Sequence, residues 1–162
     1  MAKKIDLPDV PWITAEGYVD MTKIPLDDTL RRTVSGDHRE LREAVRVLGS
    51  AAHAGRREAG IFLLGLLADL PSDAFEDRQY VVEALGYYET MSGAAALFGE
   101  IRRVKSSNTT RRYLDAVLSA ITMLPAPLVR EGLEALADDA TFSYKMRAKF
   151  REAIWRLREP RT

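Results

Sequence analysis

The chain has 162 residues, 46% of them hydrophobic and 30% charged, with 24 basic and 24 acidic side chains and a formal net charge of zero. That composition suits one soluble globular domain with a core large enough to stand without staples, and it disfavours a disordered chain. Zero net charge lowers the expectation of a protein whose main work is wrapping DNA or RNA, and the absence of cysteine excludes disulfides and thiolate chemistry and fits a reducing compartment.

The first residues, "MAKKIDLPDVPWIT", carry two lysines but no apolar run after them, which is not the pattern of a secretory leader. The stretch "KIDLPDVPWITAEGYVDMTKIP" holds Pro8, Pro11 and Pro25 and lacks a helical period, so it reads as an extended arm. Two roles stay open for it. Trp12, Ile13 and Val19 could seal the bare face of the helices that follow, or the arm could reach a partner or a second copy of the chain. "LDDTLRRTVSG" then predicts a short helix with acids in its first turn, arginines in its last and Gly36 as its stop. Residues 1–36 form this arm and capping helix, and residues 37–162 form the main domain.

From Asp37 onward apolar residues recur at spacings of three and four, and almost no strand alternation is present. Helix starts are expected at Asp37, Asp73, Asn108 and Thr141, which are 36, 35 and 33 residues apart; Asp37 and Asp73 each precede a glutamate by three, the capping-box spacing. Second helices are expected from Arg56 to Leu70, from Ser92 to Val104 and from Pro127 to Asp138, with a last helix in "KMRAKFREAIWRL". Leu48, Leu85, Leu118 and Trp155 are aligned as one column of the first helices, Ala44, Val81, Leu114 and Arg151 as another, and Ala51, Tyr88 and Ile121 as a third. Near-equal spacing of two-helix units is the mark of a helical repeat. The apolar run "AGIFLLGLLADLP" is well short of the roughly 20 residues that a membrane span needs, so the chain reads as cytoplasmic, with no membrane partner.

The segment "DRQYVVEALGYYETMSGAAALF" resembles the short HEAT-like repeat of bacterial proteins, the type also found in bilin lyases, and the likeness extends over residues 37 to 158. A tetratricopeptide array has a similar period, but its Trp-Leu-Gly-Tyr and terminal-proline signals are missing. The resemblance implies an all-α, right-handed α-solenoid of about three helix pairs plus a terminal helix, with the second helices lining a concave side. Such proteins are mostly binding surfaces, so it implies a non-enzymatic protein-binding module: an adaptor, an assembly chaperone, or an inhibitor of the immunity type. Recognition would fall to the solvent-facing positions of the second helices, here Glu58, Glu100, Arg102, Arg103, Glu131 and Glu134. A bilin-lyase-type enzyme ranks last, for want of cysteine and of a convergent polar set.

No motif supplies a catalytic, metal or cofactor site. His38 and His53 lack a ligand pattern such as H-E-x-x-H and read as surface residues, His53 in a helix-joining loop. The carboxylates fall mostly at helix ends, where caps and turns use them. Arg56, Arg57, Lys105, Arg111 and Arg112 cluster at helix junctions and form a candidate basic edge, alongside the lysines and arginines of the last helix. That edge motivates the alternative of a nucleic-acid-binding helical-repeat protein; pairing with neighbouring acids is the competing explanation. Tyr88 is expected in the core and Tyr87 at the surface.

Overall fold

The computed structural model describes residues 10–157, which form eight helices: α1 (Asp27–Thr33), α2 (His38–His53), α3 (Arg57–Asp69), α4 (Phe75–Leu85), α5 (Met91–Arg103), α6 (Arg111–Met123), α7 (Ala126–Asp138) and α8 (Tyr144–Arg156). Among the described residues the structure is all-helical apart from one isolated antiparallel bridge between Ile13 and Val19. No helix among the described residues is long and apolar enough to cross a membrane.

Caps fix several of these starts. The Asp37 carboxylate accepts from the Arg39 and Glu40 amides, at 2.8 and 3.4 Å, satisfying donors that the first turn would leave unpaired. Thr90 does the same for Gly93, and Ser143 for Met146. The expected caps at Asp73, Asn108 and Thr141 are not found. At each, a tight turn intervenes before the helix begins. The Ala74 amide donates to the Pro71 carbonyl, the Asn108 side chain accepts from Arg111, and Thr141 donates to Asp139. The helices therefore start two or three residues later than those polar residues suggest, at 75, 111 and 144.

Among the described residues each helix touches only helices one or two places along the chain. α2 packs on α4, α4 on α6 and α6 on α8; α3 packs on α5 and α5 on α7; and each sequential pair from α1–α2 to α7–α8 is in contact. One connected core of buried apolar side chains runs through them, with Leu48, Leu63, Leu85, Leu97, Ile121, Leu133 and Phe150 fully enclosed.

Burial also sets the register. Leu41, Ala44, Leu48 and Ala51 of α2 recur as Arg78, Val81, Leu85 and Tyr88, then as Leu114, Val117, Ile121 and Leu124, all buried. Phe150 of α8 and Leu157, just past its end, continue two of these columns, and Ile154, partly buried against the core, continues the Leu48 column. The alignment of Leu85 with Leu118 and Trp155 is thus out of phase: Leu118 is half-buried and Trp155 is 89% exposed. In the observed register Trp155 falls in the column of Gly49 and Gly86. A Cβ at Gly49 would lie 3.1 Å from the Cβ of Ala84 on α4, and one at Gly86 would lie 3.3 Å from the Cα of Ala120 on α6. At these two positions glycine leaves room for the next helix; beyond α8 no further helix of the described chain follows, so a large ring fits there.

The N-terminal segment is fastened to the first helices by Met21, Ile24, Leu26 and Leu30. Arg56 adds a hydrogen bond to the Ile24 carbonyl. Trp12 and Ile13 are only half-buried and Val19 is exposed, so the cover expected from those three comes from residues further along. The reason is local: residues 12–20 close a small loop of their own, with Asp20 donating to Trp12, Thr14 to Tyr18, and Gly17 at φ 87°.

Candidate functional site

A recess of about 820 Å³ lies between α2 and α4. Val45, Gly49, Ser50 and Ala84 line it with short side chains, and Met21, Arg42, Arg46, His53, Tyr80, Glu83 and Tyr87 add the long ones. The close Gly49–Ala84 approach keeps the two helices together under it, so the long side chains stand up as walls. The recess is bounded along its length. Arg42 pairs with Glu76 across the two helices and places its guanidinium 4.5 Å from the centre of the Tyr80 ring. Further along, His53 and Tyr87 meet edge to face with ring centres 5.5 Å apart. His53 is the last residue of α2 rather than a loop residue. Sequence reasoning gave this groove no role, although Tyr80 on α4 and Tyr87 just past its end, opposite Arg42 and Arg46, four apart on α2, were its visible signal.

A buried ionic cluster lies on the other side of α4. Arg78 stands in a column otherwise occupied by Leu41 and Leu114, and it is 4% exposed. Its guanidinium donates to the carbonyls of Leu67 and Leu70, each at 2.9 Å, closing the C-terminal end of α3, and to Glu100 at 2.7 Å. Glu100 also accepts from Arg103 at 2.7 Å and from the Tyr113 hydroxyl at 2.6 Å. Burial disfavours the Glu100 charge, but the bonds from Arg103, Arg78 and Tyr113 outweigh it and hold its pKa at about 2. Burial, reinforced by the bond to Glu100, pushes the Tyr113 hydroxyl up. A carboxylate with every neighbour donating to it holds the helices together; it has no lone pair left over for a substrate proton.

That cluster corrects the expectation for Glu100, which is buried and not a solvent-facing recognition residue. Arg103, 36% exposed along its side chain, spends its charge on Glu100 and on the Ser72 carbonyl. Arg102 is exposed and pairs with Asp139 at 3.4 Å. Glu58 is exposed at the start of α3 and bonded by Arg56 at 2.6 Å, and Glu131 and Glu134 are exposed on α7. The basic residues fall into separate neighbourhoods. Arg56 and Arg57 border a recess with Tyr87, Tyr88 and Thr90, whereas Arg111 borders one with Lys145 and Lys149 between α6 and α8; Lys105 and Arg112 are exposed. Tyr88 is buried and Tyr87 is exposed. His38 is exposed and bonded to Asp77 at 2.8 Å. Among the described residues no group of three or more His, Cys, Asp or Glu is arranged to hold a metal ion.

No protein-family model, curated protein sequence or solved structure matches the chain.

Proposed function

We propose that the protein is a non-enzymatic protein-binding module of the cytoplasm, an adaptor, assembly chaperone or inhibitor, built as a right-handed HEAT-like α-solenoid of about three helix pairs with a terminal helix. The observation that carries the reading is the recess between α2 and α4, where exposed Tyr87, half-buried Tyr80 and the arginines 42 and 46 surround short residues. Tyrosine and arginine are the residues most enriched where protein partners gain affinity, because each offers a large contact area and a polar tip. The contact pattern supports the architecture: in a stack of repeats each unit meets only its neighbours, and outward helix faces stay free. Ile61, Gly65 and Ala68 of α3 and Ala95 and Gly99 of α5 are such outward residues.

The test is affinity capture from cells that make the protein naturally, then reconstitution from the two purified chains and amide-exchange mapping of the complex. A partner that reassembles and protects α2 and α4 is the expected result. Failure of every captured chain to reassemble with the purified protein overturns the reading.

A second reading, nucleic-acid binding, rests on Arg111, Lys145 and Lys149, which converge with Ser106 and Ser143 on the small recess between α6 and α8. Phosphate contacts there would make affinity for DNA or RNA fall steeply and linearly with salt in log–log form, and an absence of binding at about 50 mM salt disposes of it.

A further inference from the structure

We infer that the α2–α4 recess receives an acidic, partly apolar segment of a partner protein, with Arg46 meeting its carboxylate and Tyr80 and Tyr87 its apolar side chains. The inference rests on the protein-binding reading above and specifies the partner's chemistry.

Besides Tyr80 and Tyr87, four charged or titratable side chains border the recess: Arg42, Arg46, His53 and Glu83. Three are already engaged. Arg42 pairs with Glu76, Glu83 accepts from the Gln79 amide at 2.8 Å, and His53 rests against Tyr87. Arg46 is exposed and, among the described residues, has neither an ion pair nor a hydrogen bond. Glu83 keeps its negative charge, because the Gln79 amide is a neutral donor, so Arg46 is the ionic group of the recess that has no partner among the described residues, and its complement is a carboxylate that a guanidinium can grip with two parallel N–H groups. The Arg42 Nε–H is buried without an acceptor, so the basic wall holds a second unsatisfied donor.

Shape narrows the occupant further. Tyr80 lies on α4 and Tyr87 two residues past its end, and Arg42 to His53 spans about 17 Å of α2. That run matches two to three turns of helix, and the short residues between the walls let a guest backbone come close. A nucleic-acid strand fits less well, because its continuous row of phosphates would pass Glu83 and Glu76 on the α4 wall. Carboxylates spaced along a peptide need not face them.

The test is selection from a display library of random segments of about 14 residues, roughly the length of the trough, against the full chain and three variants, Arg46→Glu, Arg46→Lys and Tyr87→Ala. Both positions are exposed, and circular dichroism checks that each variant is folded. Segments rich in Asp and Glu with at least one large apolar residue should be enriched on the wild type. Their enrichment should fall at least about tenfold on Arg46→Glu, equivalent to about 1.4 kcal/mol, fall on Tyr87→Ala, and fall less on Arg46→Lys than on Arg46→Glu, because lysine keeps the charge but not the paired N–H grip. Basic or neutral winners, winners indifferent to Arg46→Glu, or no enrichment at all overturn the inference. So does a short single-stranded DNA that displaces the winners by binding more tightly through Arg46. A natural partner that binds wild type and Arg46→Glu alike leaves the protein-binding reading standing and removes this one alone.

Discussion

Glu100 and Arg78 show how much one buried ion pair commits its neighbours. Both are nearly sealed from water, at 5% and 4% exposure, so neither charge has solvent to fall back on. Removing one partner strands the other, which typically costs about 3–5 kcal/mol. Glu100→Ala is therefore expected to lower stability by about that much in urea titrations, and Tyr113→Phe by about 1–3 kcal/mol, the range for losing one bond to a charged group. The pH dependence has a definite sign. Glu100 titrates at about 2 in the folded chain against an ordinary 4.5, so its contribution is complete above pH 4.5 and is lost as pH falls toward 2. The wild-type advantage over Glu100→Gln should shrink across that window; an advantage independent of pH would remove the carboxylate from the account. His38 runs the other way. Its hydrogen bond to Asp77 raises its pKa above 6.5, so its contribution is full below pH 6.5 and is lost as pH climbs through the raised value. Denaturation midpoints of His38→Gln should accordingly trail the wild type more at pH 5.5 than at pH 8, by an amount kept small by exposure to solvent.

Within α5 the same substitution has opposite consequences one helix face apart. A Cβ at Gly93 would lie 2.5 Å from the Tyr88 carbonyl, a backbone atom that cannot swing aside, whereas a Cβ at Gly99 meets nothing within 4 Å. Gly93→Ala should destabilise by about 1–3 kcal/mol, the cost of forcing a methyl group into a packed junction. Gly99→Ala should stabilise by about 0.5–1 kcal/mol, because alanine is the better helix former and loses less entropy on folding. Thermal melts of the two variants decide it, and equal shifts would contradict the packing. Helices of this kind were legible from sequence because three- and four-residue apolar spacing survives any error in register. The register itself was not. Leu85-Gly86 and Leu118-Ser119 look alike as pairs, but the α4-to-α6 offset of 36 residues puts Ile121, not Leu118, opposite Leu85. Glu100 was misplaced for a related reason. An acid on a second helix reads as solvent-facing, and only the arginine set in a leucine column across the α4–α5 junction shows why it is buried. The recess escaped notice because its walls come from α2 and α4, about 35 residues apart in sequence, and neither helix alone marks it.

Among the described residues, contacts reach no further than two helices along, so no single described element ties the first helices to the last. Cooperativity must then pass from neighbour to neighbour, as in stacks whose stability is a sum of local terms. The middle helices gain on both sides: α4 packs against α2, α3, α5 and α6, whereas α8, among the described residues, packs against α6 and α7. α8 also presents its outer side to water, with Trp155 at 89% exposure in the column where Gly49 and Gly86 meet the next helix. Local opening free energies should therefore grade along the molecule and not share one global value. Native-state amide exchange tests this directly. Amides in the middle of α8 are expected to exchange at least about tenfold faster than those in the middle of α4 and α6, which corresponds to about 1.4 kcal/mol less protection. The gradient should steepen in Arg151→Ala, which removes the reach of α8 back to the Ala137 carbonyl at the end of α7. Uniform protection from α2 to α8 would mean that the chain opens all at once. The ends would then be coupled by more than the neighbour contacts, and the reading of the molecule as a stack of separable units would fail with it.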